Sequence, residues 1–221
     1  GIYINSDNEL VFAAVVLAAG KSLRMGQRNK LLECVDEMPI VHKVLNAVTA
    51  SIVHQCVVVT GYQAERIRNS VCDYQVDIIV NSEYEQGLSS SLKAGLKCLD
   101  SEVDAVLIVL GDMPDIDVGI INQLVLSFDP TQGREICVPV HNQRRGNPVL
   151  WSQRFYQDLC QIEGDVGGRH LIVKYRGWVY ECYVDDESIH TDIDTFEQLN
   201  ARNNPVGLVS GLNAIDLPER T

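Results

Sequence analysis

The residues best equipped for chemistry fall in a few short stretches, and the first organises the rest. In Val15-Val16-Leu17-Ala18-Ala19-Gly20-Lys21-Ser22-Leu23-Arg24-Met25-Gly26-Gln27-Arg28-Asn29-Lys30, an apolar run breaks into a loop of small and cationic residues. Ala18, Ala19 and Gly20 let the backbone approach a ligand and aim its N–H groups at an anion. Arg24 offers a planar fork for phosphate oxygens, and Lys30 a mobile point charge. This is a phosphate cradle in outline. It is neither GxGxxG nor GxxxxGK[ST], so neither the dinucleotide nor the P-loop fingerprint is met.

Asp112 is the next candidate. It follows an apolar run and Gly111 and precedes Met113-Pro114. A carboxylate there, beside a phosphate cradle, suits Mg²⁺, which takes one or two carboxylates and completes its shell with water and phosphate oxygens. The competing role is to cap a helix starting near Ile116 or to bond its own turn. Asp192 and Asp194, two apart, share one face if extended, and one of them could be the second carboxylate. Spacing alone favours Asp194 as a cap for the helix that follows. Asp115/Asp117 and Asp185/Asp186 read as solvated loop charges.

Three polar loops could face ligands. Gly87-Leu88-Ser89-Ser90-Ser91-Leu92 offers hydroxyls and helix N–H groups to a base edge or an anion, although N-capping would need only one serine. Gln143 to Leu150 places Arg144 and Arg145 beside Gly146, Asn147 and Pro148, either for a second anionic substrate or as plain exposed surface. Gly164 to His170 raises the same choice for Asp165 and Arg169. The five histidines show no metal spacing and read as non-catalytic, His42 on a helix face. No GxSxG or Cys/His arrangement suggests a covalent nucleophile.

Composition excludes several classes. A net charge of −12 over 221 residues argues against general nucleic-acid binding. No run reaches the ~18 apolar residues of a membrane span. Residues 1–10 lack the basic and apolar parts of a signal peptide and read as a leader or tag remnant. Seven scattered cysteines without CxxC spacing fit reduced thiols and a cytoplasmic setting.

Alternating apolar patterns supply the elements that must position these loops. Strands are expected at 11–18, 56–60, 76–80, 105–110, 135–140 and 178–184. Helices are expected at 39–52, with Pro39 in the first turn, and at 63–71, 89–99, 116–128, 152–162, 169–175 and 195–201. The alternation through Leu110 predicts a parallel sheet with helices on both faces, and ligands beyond the carboxyl ends of its strands. Residues 203–221 read as a tail of unknown role.

These motifs together resemble one family. Leu17 to Gly26 with Lys30 is similar to the LAAGxSxRMGxxK signature of MobA-like nucleotidyltransferases. Gly87 to Leu96 resembles its GLSxSLxxGL, and Gly111 to Pro114 its GDMP. Arg145 to Val149 resembles RGxPV, Gly164 to Arg169 GDxGAR, and Asp192 to Thr195 DxDT. The motifs occur in family order and span residues 11 to about 201, so the expected domain is 11–202. Ala19 in the LAAG stretch matches the molybdenum cofactor cytidylyltransferase branch rather than the guanylyl branch. Two positions depart from that branch: Asn147 stands where His is common, and Gly168 where Ala is common.

The resemblance implies a Rossmann-like three-layer α/β sandwich with a mostly parallel, mixed central sheet of the nucleotide-diphospho-sugar transferase type. It implies Mg²⁺-dependent (or Mn²⁺-dependent) transfer of CMP from CTP to the terminal phosphate of molybdenum cofactor, with a molybdoenzyme as a conceivable recipient. Leu17, Ala18, Ala19 and Gly20 would contact base and phosphates, and Gly87 and Ser91 would help seat the cytidine. Arg24 and Lys30 would hold the triphosphate, and Asp112 would bind the metal with Asp194, or else Asp192. Arg145, Asn147, Asp165 and Arg169 would lie on the acceptor side. The alternatives are GTP as donor, a sugar-phosphate acceptor, or a cofactor-binding chaperone.

Overall fold

The strand at the head of the cradle, β1 (Phe12–Ala18), is buried along its whole length. Its β-branched centre and small residues suit a position with sheet on both edges and helices on both faces. The computed structural model describes residues 9–21, 26–163 and 168–204. Most of the expected leader and tail, with Arg24 and Asp165, lie outside the described residues.

After β1 the chain forms a small hairpin, β2 (Cys34–Val35) and β3 (Met38–Pro39), then α1 (Ile40–Thr49), β4 (Gln55–Thr60), α2 (Ala64–Val71) and β5 (Asp77–Val80). It continues through α3 (Leu88–Lys97), β6 (Ala105–Leu110), α4 (Val118–Ser127), β7 (Ile136–His141), β8 (Arg144–Arg145) and β9 (Val149–Ser152). The last elements are α5 (Tyr156–Cys160), α6 (Arg169–Lys174), β10 (Val179–Tyr183) and α7 (Phe196–Asn203).

Eight strands form the main sheet in the order β10-β7-β9-β6-β1-β4-β5, with β8 paired to β7. The pairs β5–β4, β4–β1, β1–β6 and β7–β10 are parallel, and β9 is antiparallel to both of its neighbours. The sheet is therefore mixed but mostly parallel. Alternate residues of β1 feed two cores. Ala14, Val16 and Ala18 face the side covered by α1, α2, α4 and α7, while Val15 and Leu17 face α3, α5 and α6. These are the three layers expected. The strand order reverses at β1, which is flanked by β4 and by β6, the kind of place where such sheets bind ligands beyond the strand ends.

Several elements depart from the sequence reading. Pro39 is the N-cap of α1 rather than a first-turn residue. The serines do not cap α3, because Gly87 holds that position at φ 103, in the region where only glycine is unstrained. Asp117 caps α4 by accepting from Ile120 N at 2.9 Å, which releases Asp112 from that role. Residues 149–152 are a strand, and helix α5 begins only at Tyr156. That strand is four residues long, buried throughout, and hydrogen-bonded on both edges, so no alternation marked it.

Gly111 sits where the end of β6 meets the end of β1. Its N–H donates to Leu17 O at 3.0 Å, and an added Cβ would lie 2.7 Å from that carbonyl and 3.3 Å from Leu31 Cδ1. The first obstacle is backbone and cannot turn aside. Gly111→Ala is expected to cost ~1–3 kcal/mol of stability, the usual range for overpacking, read as a lower urea midpoint at unchanged slope.

Candidate active site

Lys30 lies on a single 3₁₀ turn, Lys30–Leu32, and Asn29 fixes that turn. The Asn29 Oδ1 accepts from Leu31 N at 3.1 Å, and its Nδ2 donates to Tyr62 O at 3.4 Å. Tyr62 N in turn donates to Ala19 O at 2.9 Å, and the Tyr62 hydroxyl donates to Gln27 O at 2.9 Å. Tyr62 thus ties both sides of the cradle loop together. Sequence reasoning assigned no role to Asn29 or Tyr62. An Asx residue just before Lys30 was a usable signal; nothing in the sequence marked Tyr62.

From this anchor the Lys30 Nζ donates to Asp112 Oδ2 and to Asp194 Oδ1, each at 2.9 Å. Carboxylate oxygens of Asp112, Asp192 and Asp194 lie within 4.8 Å of one another. Backbone contacts hold the two acidic segments in register, with Ile193 N donating to Asp112 O at 3.0 Å. Thr195, rather than Asp194, caps α7 in a capping box with Gln198, so the Asp194 carboxylate is directed elsewhere. Asp115 is no idle loop charge: it pairs through both oxygens with Arg202, at 2.5 Å each, and fastens α7 to the loop after β6. Asp117 and Asp186 also act as caps, of α4 and of a 3₁₀ turn at Glu187–His190.

Electrostatics within the cluster are strained in one direction. Burial pushes the Lys30 ammonium down, but the charges and hydrogen bonds of Asp112 and Asp194 outweigh it and hold its pKa above that of ordinary lysine. Asp192 is raised by burial, by its hydrogen bond to Asp194, and by the like charges of Asp194 and Asp112. Three crowded carboxylates present the hard oxygen donors that a small dication takes, and an ammonium already bridges two of them. The donor set therefore fits Mg²⁺ or Mn²⁺.

A cleft of about 480 Å³ opens at the end of β1, where the Leu17 carbonyl accepts from the N–H of Gly111, the residue before Asp112. Leu17, Ala19, Gly20, Gly87 and Ser91 line it, joined by Lys21, Tyr84, Glu85 and Leu88, which the sequence reading passed over. Ala18 ends β1 with its methyl in the core, so only its backbone is turned to the loop. Ser91 is buried and accepts from Asn81 Nδ2 at 3.0 Å.

The acceptor-side candidates are more dispersed. Arg145 donates from Nε and Nη2 to Glu181 Oε1 at 3.1 and 3.0 Å, so it is paired on the sheet rather than held free. Asn147 is bound through its backbone N–H to Ile189 O at 3.0 Å. Arg169 is exposed at the start of α6. His42 bonds Ser70, and His54, His141 and His190 each bond a backbone group, as residues with local structural roles do.

The MobA-like NTP transferase domain family matches residues 14–178. The chain belongs to that family. Molybdenum cofactor cytidylyltransferase of Escherichia coli (strain K12) is 26% identical over 182 residues, covering 82% of this chain and 90% of its own. Nicotine blue oxidoreductase of Paenarthrobacter nicotinovorans is also 26% identical, over 193 residues, 84% of this chain and 93% of its own. The crystal structure of Rv0371C from Mycobacterium tuberculosis H37Rv in complex with manganese shares the fold. Its TM-score is 0.74 at 22% identity, covering 89% of this chain and 100% of its own. Among the described residues no helix is long and apolar enough to cross a membrane.

Gly168, one of the two departures from the cytidylyl branch, has a packing reason. A Cβ there would lie 2.6 Å from Trp151 Cζ2 and 3.0 Å from Cη2, so the indole fills the space an alanine methyl would need. Gly168→Ala is expected to destabilise by ~1–3 kcal/mol, and Trp151→Phe to recover part of that loss. A double-mutant cycle on denaturant midpoints checks the coupling; additive losses would contradict it.

Proposed function

We propose that the protein is a divalent-metal-dependent cytidylyltransferase that joins CMP from CTP to the terminal phosphate of molybdenum cofactor and releases pyrophosphate. The observation that carries this reading is the convergence of Lys30, Asp112 and Asp194 beside a cleft lined by Leu17, Ala19, Gly20, Gly87 and Ser91. The E. coli relative named for this reaction, over most of both chains, supports the choice of nucleotide and acceptor. The LAAG form of the cradle, with Ala19, supports it too.

In this reading the cleft seats the nucleoside against Gly87 and Ser91, and the backbone at Leu17 to Gly20 meets the phosphates. Asp112 and Asp194 hold the metal, with Asp192 as a third donor. A bound dication there supplies charge neutralisation on phosphate oxygens. Arg24 and Lys30 steady the triphosphate. An oxygen of the acceptor phosphate attacks the α-phosphorus of CTP, and the bond to the bridging oxygen of pyrophosphate breaks as the new one forms. The acceptor is already an anion, so no strong base is required, in keeping with His54, His141 and His190 being bonded to backbone groups. Such transfers gain mainly from positioning and charge stabilisation. Arg145, Asn147, Asp165 and Arg169 are assigned to the acceptor side, with Arg145 parting from Glu181 to reach it.

A second reading is an oxidoreductase, since a relative of that name is equally similar. Hydride transfer has no need of three converging carboxylates, and no GxGxxG follows a strand, so the transferase is preferred. Pyrophosphate release with molybdenum cofactor and Mg²⁺ or Mn²⁺, with CTP and GTP in parallel, tests the proposal. Release with CTP is expected. Release with GTP alone would move the chain to a guanylyl role, and consumption of a reduced nicotinamide cofactor without pyrophosphate would favour the oxidoreductase. Asp112→Asn should cut turnover at least ~100-fold through loss of metal-supported charge stabilisation. Near-normal turnover in Asp112→Asn, or full activity in Lys30→Ala, would remove these residues from the mechanism.

A further inference from the structure

Lys30 was expected at the triphosphate, yet its ammonium lies between two metal-ligand candidates. Both contacts are 2.9 Å; Lys30 and Asp112 are sheltered, 14% and 19% exposed, and Asp194 is 38% exposed. Lys30 touches the cluster through both of these contacts. Arg28 is committed to Glu33, and Lys21 lies over the Tyr62 ring at 5.4 Å.

We propose that Lys30 is a resident counter-ion that fills the dication's place in the nucleotide-free protein and surrenders it when a triphosphate arrives, so that metal and nucleotide bind cooperatively. This rests on the transferase reading and adds to it a binding order. A dication draws carboxylate oxygens to about 2.0–2.6 Å. The ammonium uses an oxygen of Asp112 and one of Asp194, so the two cations compete for the same charge and space. Without a ligand, Lys30 screens carboxylates that would otherwise repel one another. With a triphosphate in the adjoining cleft, the four-carbon stem of Lys30 can turn to the phosphates while Asn29 keeps its backbone fixed. The carboxylates then lose their ammonium as metal becomes available with the nucleotide. Because such coupling is reciprocal, metal must also favour nucleotide binding.

The alternative is a permanent structural ion pair, with Lys30 in place whether or not metal is bound. Electron paramagnetic resonance of Mn²⁺ with nucleotide-free protein separates the two. Lys30→Met is expected to bind Mn²⁺ at least ~10-fold more tightly than the parent, as removal of a nearby unit charge in a sheltered site requires. Asp112→Asn should bind it more weakly. In EDTA the Lys30→Met protein should melt below the parent, and Mn²⁺ should raise its Tm by more than it raises the parent's. A second measurement needs no variant. Acylation of Lys30 in the parent protein, read by peptide mass spectrometry, should be slow in EDTA, faster with Mn²⁺ alone, and slow again with Mn²⁺ and CTP. Unchanged or weaker Mn²⁺ binding by folded Lys30→Met, or a Lys30 acylation rate indifferent to Mn²⁺, would overturn the proposal. If the Mn²⁺ effects are seen but no pyrophosphate is released with any acceptor, the transferase reading fails and the exchange of cations stands.

Discussion

The bridge from Lys30 to Asp112 and Asp194 joins residues 82 and 164 positions apart in the chain. Carboxylates placed this close repel unless a cation stands between them. An ammonium on a flexible stem meets that need without fixing the site permanently. The two acidic segments converge from the end of β6 and the start of α7. Much of the neighbouring architecture can be understood as holding the three parts of this bridge in reach of one another.

Three kinds of restraint do that holding. The backbone bond from Gly111 to Leu17 closes the gap between the adjacent strand ends, and the one from Ile193 to Asp112 sets the acidic segments side by side. The Asp115–Arg202 pair clamps α7 from outside. Asn29 and Tyr62 brace the cradle from below its loop. Backbone bonds and a few polar side chains do this work, while the two apolar cores on either side of β1 supply a rigid floor. Replacing Asp by Asn at a ligand position can therefore leave the frame intact, whereas adding one methyl at Gly111 strains it.

What the sequence made legible follows from what leaves a local trace. The buried strands at β1 and β6 were read because their apolar runs end abruptly in glycine and charge. The cradle and Asp112 stand out because they follow the ends of those two strands. Strand β9 escaped because four buried residues carry no period, and its identity comes only from its two neighbours. The serines of α3 were read as caps because their side chains suit that role, but Gly87 took it with a backbone conformation the serines would resist. Asp115 and Arg202 could not be paired in advance, since nothing near either residue points to the other. Gly168 stood out against the family pattern, yet its meaning required Trp151, which a different strand delivers.

The wide separation of the bridging residues also orders events during synthesis. Translation releases the cradle and the Asp112 loop long before Asp194. A nascent chain can pair β1 with β4 and β6 while its third anchor is still unmade. Lys30 then has one carboxylate to hold instead of two. Until residue 194 is made, Lys30 and Asp112 stand without the third member of the bridge. Asp194, lying just before α7, completes the bridge only once most of the chain has been made.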